Sequence, residues 1–254
     1  MTELATFVDG PLDAPPLLLI HGTAASSDSW SRLVPLLTPA HRVIRVDLLG
    51  CGRSPADGRF DVTDQATSIG GALDRLGISS AVVAGHSSGG AMATELATIR
   101  PSLVRGLALI NTGPSMDAYI APAFPFQPSD WPTLTDAQLR TAVAQAFRPG
   151  FDVPQDAIDQ VRAMTFTAFA ATSVALRSYL AERALPARLA AVGKPLLVVF
   201  GTEDQRWRAS SANDYRAVPG AEVTFLPGVG HTPLVEDPPA TAARLLTFAA
   251  NLKD

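Results

Sequence analysis

Six short runs of consecutive apolar residues constrain the fold of this chain most: Leu17 to Ile20, Val43 to Val46, Ala81 to Ala84, Leu107 to Ile110, Leu196 to Phe200 and Val223 to Leu226. A strand with one face in water alternates apolar and polar side chains. A run that is apolar at successive positions needs cover on both faces, as in a parallel sheet held between two layers of helices. Segments of helical period lie between the runs, among them Asp64 to Leu76 and Ala91 to Ile99. The alternation predicts an α/β fold with a doubly wound, mostly parallel sheet. At 254 residues, 47% hydrophobic and 17% charged, the chain can bury such a core, which argues against disorder and against a disulfide-dependent miniprotein.

One interval breaks the rhythm. From Ile110 to Leu196 the gap far exceeds the roughly 30 residues of a strand-helix-strand unit, so a segment is inserted there. It opens with a Pro- and aromatic-rich stretch, Pro114 to Pro132, expected to be irregular. It continues with three candidate amphipathic helices, Thr135 to Phe147, Gln155 to Phe169 and Thr172 to Leu185. Thr135 and Gln138 have the spacing of a capping box. The expected organisation is a core of residues 1–113 and 191–254 with a helical cap at 114–190.

Twenty basic against 24 acidic residues give a net charge of −4, which offers no concentrated positive surface for a nucleic acid. A single cysteine, Cys51, allows no internal disulfide and fits a reducing compartment. The first twenty residues hold Glu3, Asp9 and Asp13, no Lys or Arg, and one short apolar run, unlike a signal peptide. No stretch approaches the roughly 20 apolar residues of a membrane span. The expectation is a cytoplasmic protein of unknown oligomeric state.

The chemistry points to Gly85-His86-Ser87-Ser88-Gly89-Gly90, directly after the apolar run Ala81 to Ala84 and directly before the helical run from Ala91. G-x-S-x-G between a strand and a helix makes a sharp turn that exposes the Ser87 hydroxyl above the carboxyl edge of the sheet. The N-terminus of the following helix offers free N–H groups to an oxyanion. In this context Ser87 reads as a nucleophile rather than as a residue of an inert Ser/Gly turn.

Here the chain resembles the α/β-hydrolase fold family, in its serine esterase and lipase-like branch with a helical cap, and the resemblance extends over nearly all of it. His21-Gly22-Thr23-Ala24 looks like the family's oxyanion loop. The resemblance implies that the N–H of Thr23 or Ala24, together with that of Ser88, forms the oxyanion hole, with His21 and His86 structural. Asp47-Leu48-Leu49-Gly50-Cys51-Gly52-Arg53-Ser54 looks like the D-x-x-G-x-G-x-S loop. Asp47 precedes Ser87, against the family order of Ser, acid, His, and is assigned to structure. Gly201-Thr202-Glu203-Asp204 matches the G-x-x-D pattern that places the acid at Asp204, with Glu203 the near competitor. The other place where relatives carry the acid reads Asn111-Thr112-Gly113 and has no carboxylate. Gly230-His231, followed by Glu236 and Pro238, resembles G-H-x-x-x-x-E-x-P and implies His231 as the base. The chain departs from the family in one way: few residues precede the strand at Leu17, so the usual leading hairpin is expected to be reduced to a strand around Thr6 to Val8.

Ser87, Asp204 and His231 together imply an acyl-enzyme hydrolysis of a carboxylic ester or lactone. No metal or cofactor is expected, since H-E-x-x-H, a cysteine cluster and a P-loop are all missing from the sequence. An elbow Ser argues against an epoxide hydrolase or a haloalkane dehalogenase, relatives that carry Asp there. Acyl transfer, amide cleavage, C–C bond hydrolysis of a diketone and cofactor-free perhydrolysis stay open on the same triad, as does a hydrolase-like small-molecule receptor. Among the cap aromatics, Phe124, Phe126 and Trp131 in the irregular stretch are the candidates for contact with substrate, joined by Trp207 beside Asp204. They favour an apolar or aromatic small-molecule substrate. The stretch from Pro114 to Phe126 holds only Asp117 and no basic side chain, which predicts poor acceptance of charged acyl groups.

Overall fold

A computed structural model describes residues 3–56, 58–122 and 125–252. Seven strands form one sheet: β1 (Thr6–Asp9), β2 (Pro16–Ile20), β3 (Arg42–Val46), β4 (Ala81–His86), β5 (Val104–Ile110), β6 (Leu196–Gly201) and β7 (Glu222–Leu226). Their order across the sheet is β1-β3-β2-β4-β5-β6-β7. Every neighbouring pair is parallel except β1 against β3. Each of the six apolar runs lies within a strand, and the leading strand covers Thr6 to Asp9.

The apolar runs are continuous because successive side chains enter different cores. In β2, Leu18 and Ile20 join one cluster with Ile69 and Leu73 of α2 (Val62–Arg75, which follows the short α1, Val34–Leu37). Leu96 of α3 (Ser88–Ile99) completes that layer. Leu17 and Leu19 face the other side, with Trp30 and Leu37. Truncating one of these fully buried leucines to alanine costs about 2–5 kcal/mol.

Four helices lie between β5 and β6: α4 (Asp136–Val143), α5 (Gln155–Ala163), α6 (Phe166–Glu182) and α7 (Leu185–Val192). The Thr135/Gln138 capping box is present, with both reciprocal bonds made. Among its described residues, Pro114 to Pro132 has short 3-10 turns at Met116–Ala118 and, running one residue past its end, at Trp131–Thr133, together with an isolated antiparallel bridge from Tyr119 to Trp207. The expected break between the second and third cap helices is corrected. Met164 is extended and the Thr165 hydroxyl caps α6 by accepting from the Ala168 N–H, so Phe166 and Phe169 open the later helix instead of closing the earlier one. The sequence reading also missed α7, which Gly193 ends in the left-handed conformation. After β7 come α8 (Pro233–Glu236) and α9 (Pro238–Asn251), whose Ala242, Leu245 and Phe248 close the second core.

Candidate active site

Ser87 follows β4 and caps α3 at φ 53° and ψ −122°, a conformation that side chains with a Cβ rarely adopt. Two close approaches hold the turn. A Cβ on Gly85 would lie 2.4 Å from the Gly89 carbonyl oxygen, and one on Gly89 would lie 2.3 Å from that of Ile20. The Ser87 N–H donates to the Ile110 carbonyl at 2.9 Å, and the Thr112 hydroxyl donates to the Ser87 carbonyl at 2.9 Å. Besides Ser87, the non-glycine residues at positive φ among those described are Ala24 at 59° and Asn111 at 45°. All three flank one site, where such strain concentrates.

The Ser87 hydroxyl lies 2.9 Å from His231 Nε2, and His231 Nδ1 lies 2.8 Å from Asp204 Oδ2. Both partners are nearly sequestered, His231 at 2% and Asp204 at 7% exposure. With Nδ1–H donating to the carboxylate, Nε2 is left as the acceptor for the Ser87 hydroxyl. Burial pushes the Asp204 carboxyl upward. The charge and hydrogen bond of His231, the Asn111 amide and the Arg206 N–H outweigh it and hold the group below its ordinary value. Asn111 Nδ2 donates to Asp204 Oδ2 at 2.7 Å, and the N–H groups of Arg206 and Trp207 donate to Oδ1 at 2.7 and 3.1 Å. Glu203 is exposed on the surface of the same turn. Asp47 is fully buried elsewhere, accepting from the N–H groups of Ser27 and Arg53 and so shaping its own loop.

The His231 loop has a second anchor in Glu236. Its Oε2 accepts from the N–H groups of Gly230 (2.9 Å) and Arg148 (3.0 Å), and its Oε1 accepts from the Thr232 N–H (3.0 Å). The two other histidines near Ser87 are fixed as neutral rings. His21 Nδ1 donates to the Gly22 carbonyl while Nε2 accepts from the Leu48 N–H, which turns the loop, and burial lowers its pKa. His86 Nε2 donates to the His231 carbonyl at 2.8 Å. Burial first, and then neighbouring His231, push the His86 ring down to about 3.

Gly22, Thr23 and Ala24 line the cavity beside Ser87, and Ser88 is the first residue of α3, where a helix N–H has no intrahelical acceptor. Thr23 donates its hydroxyl to Ser88 Oγ at 3.0 Å, tying the two parts of the expected oxyanion hole together.

The cavity measures about 630 Å³, with Ser87 and His231 in its wall. Phe126 and Trp207 line it as expected. Phe124 lies outside the described residues. Trp131 does not line it: its ring stacks on Phe169, meets Phe166 edge-on and donates its indole N–H to the Met164 carbonyl, which makes it part of the packing among the cap helices. The sequence reading missed Tyr119, Phe147, Leu176, Arg177 and Arg206, all of which line the cavity. The two arginines correct the expectation that no basic side chain serves this space. They come from α6 and from the loop after β6, outside the stretch from Pro114 to Phe126.

Comparison with known proteins gives a consistent picture. A family model described as "Alpha/beta hydrolase family" matches residues 17–244. A Pseudomonas savastanoi pv. phaseolicola protein named "Putative carbamate hydrolase RutD" is 30% identical over 266 residues, covering 93% of this chain and 94% of the relative. Among solved structures, the enol-lactonase from Burkholderia xenovorans LB400 superimposes with a TM-score of 0.83 at 23% identity, over 98% of this chain and 97% of that one. The N-acyl homoserine lactonase AidH, complexed with N-butanoyl homoserine, gives 0.82 at 22% identity, over 99% and 94%. The sheet, its crossovers and the family match over nearly the whole chain lead to one conclusion: this chain is a hydrolase that belongs to the alpha/beta hydrolase family.

Proposed function

We propose that the protein is a serine hydrolase that cleaves a carboxylic ester or lactone through an acyl-enzyme, with Ser87 as nucleophile, His231 as base and Asp204 as the acid. The observation that carries this reading is the unbroken hydrogen-bond chain from Ser87 Oγ through His231 to Asp204, beside a cavity large enough for a small substrate. His231 Nε2 takes the Ser87 proton as Oγ bonds to the carbonyl carbon. The N–H groups of Ser88 and of Thr23 or Ala24 receive the oxyanion, and Asp204 stabilises the imidazolium. The imidazolium then protonates the departing alkoxide. Water, activated by the same ring, attacks the acyl-enzyme and returns free Ser87 and an acid. The relative named for carbamate hydrolysis supports a carbonyl compound as substrate. Phe126, Phe147 and Trp207 supply an apolar wall for its carbon skeleton, and residues 114–190 act as the cap that selects it.

The test is pre-steady-state turnover of p-nitrophenyl butyrate. This reading expects p-nitrophenol release with an acyl adduct trapped by acid quench, and neither in Ser87→Ala. Full turnover by that variant would overturn it.

A further inference from the structure

Two cationic groups on one wall of the cavity lack an anionic partner among the described residues. Arg177 and Arg206 both line the cavity, and neither has a carboxylate within 4 Å among the described residues. Both guanidiniums crowd the ring of Tyr119, their central carbons 4.9 and 5.9 Å from its centroid. Arg206 Nη2 makes a long hydrogen bond, 3.3 Å, to the Tyr119 hydroxyl. Trp207, edge-on to Tyr119 at 5.0 Å, is 4% exposed, and its indole N–H has no acceptor among the described residues. Two like charges at one aromatic ring repel each other, so this wall is suited to an anion.

The rest of the lining does not supply one. Among the described lining residues the one carboxylate is Asp156, on the helix α5, where its Oδ1 accepts from the Ala157 N–H. The cationic wall is also well anchored. Arg206 follows two residues after Asp204, whose carboxylate accepts its N–H. Arg177 stands on α6, which Tyr179 ties to α3 by donating to Glu95 Oε2 at 2.9 Å. These contacts fix the backbone that carries each arginine, while the Arg177 side chain is exposed to solvent at the cavity wall.

We propose that the substrate carries a carboxylate remote from its scissile carbonyl, and that Arg177 and Arg206 receive it against the Tyr119–Trp207 wall. The substrate class is thus a hemiester or a carboxylate-bearing lactone. Arginine suits the task because its fork of donors matches both oxygens of a carboxylate. The assignment rests on the serine hydrolase reading for its reaction but not for its binding, and the experiment separates the two.

Mono-p-nitrophenyl glutarate is compared with its neutral methyl ester, p-nitrophenyl methyl glutarate, by the ratio of kcat/KM within each variant, so that a general loss of activity cancels. The wild type should prefer the acid about tenfold or more at low salt, and the preference should shrink as NaCl is added. Arg177→Gln and Arg206→Gln should each cut the ratio at least fivefold, chiefly through KM, and Arg177→Lys should restore part of it. Arg75→Gln, at a surface pair with Glu3, should leave it alone. A wild-type ratio at or below one, or a ratio unmoved in both glutamine variants, overturns the proposal while leaving ester turnover intact. A binding arm uses hexanoate against hexanamide in Ser87→Ala, read by thermal shift. Stabilisation by the carboxylate alone, lost when Arg177→Gln and Arg206→Gln are added, upholds the anion wall even if the wild type turns over no ester. Equal shifts with both compounds contradict it.

Discussion

Asn111, at the end of β5, donates its side-chain amide to Asp204 Oδ2 at 2.7 Å, on the same oxygen that faces His231 Nδ1. Its other amide contacts run to the Gly230 carbonyl and from the Gly201 N–H, so it joins the segments that carry Asp204 and His231. A left-handed backbone, which Asn tolerates better than most residues, places the amide there.

Asp204→Asn should lower kcat by about four orders of magnitude, because the amide no longer fixes the imidazole tautomer or stabilises its charge. Asn111→Ala leaves the carboxylate in place but less well oriented, and should cost roughly 10- to 100-fold. Glu203→Gln should stay within about twofold, since Glu203 is exposed outside the hydrogen-bond chain. Steady-state kinetics on one neutral ester checks all three. Loss in Glu203→Gln without loss in Asp204→Asn would reverse the assignment.

Glu236 should matter to both rate and stability, as its buried carboxylate brackets His231 through the N–H groups of Gly230 and Thr232. Glu236→Gln turns an amide NH2 toward one of these donors. The cost should be about 1–3 kcal/mol of unfolding free energy together with a fall in kcat. Denaturant unfolding and kinetics on the same preparation measure the two, and a variant unaltered in both would contradict the bracketing role.

His86 gives a pH signature of stability. Its ring takes a proton near 6.5 when unfolded but only at about 3 when folded, so between those values the unfolded chain binds the extra proton. Its contribution is complete above pH 6.5 and is lost as the pH falls toward 3, by at most about 1.4 kcal/mol per pH unit. Urea unfolding at pH 7, 6 and 5 should show a shallower slope in His86→Gln than in the wild type. Equal slopes would mean that the folded ring takes its proton over the same pH range as the unfolded one.

Phe126→Ala should shift the chain-length profile of p-nitrophenyl esters, since Phe126 lines the cavity, by several-fold per methylene accommodated. Trp131→Ala should instead lower stability, by about 0.5–3 kcal/mol for a partly buried aromatic, with the ordering of esters kept. Kinetics on esters of two to eight carbons separates the cases. The assignments fall if Trp131→Ala reorders the esters and Phe126→Ala does not.

These contrasts mark what the sequence made legible. The apolar runs located six strands because burial on both faces leaves an unambiguous pattern, and the elbow was readable because its glycines sit where backbones touch. Asp204 and His231 followed from motif and order. In the sequence Asn111 stands out for lacking a carboxylate, yet its bond to Asp204, 93 positions away, arises where the segments after β5 and β6 meet. Trp131 and Arg177 were misplaced or missed for a related reason. Which side of a cap helix faces a cavity depends on how the helices pack, and the junction at Met164 and Thr165 shifts every face after it.

Intact-mass and peptide mass spectrometry after treatment with a fluorophosphonate tests the central claim most directly. The account predicts one adduct per chain, on Ser87, formed in parallel with loss of ester turnover, with both labelling and turnover missing in Ser87→Ala. An adduct on Ser88, or a Ser87→Ala variant that keeps full activity, would contradict it.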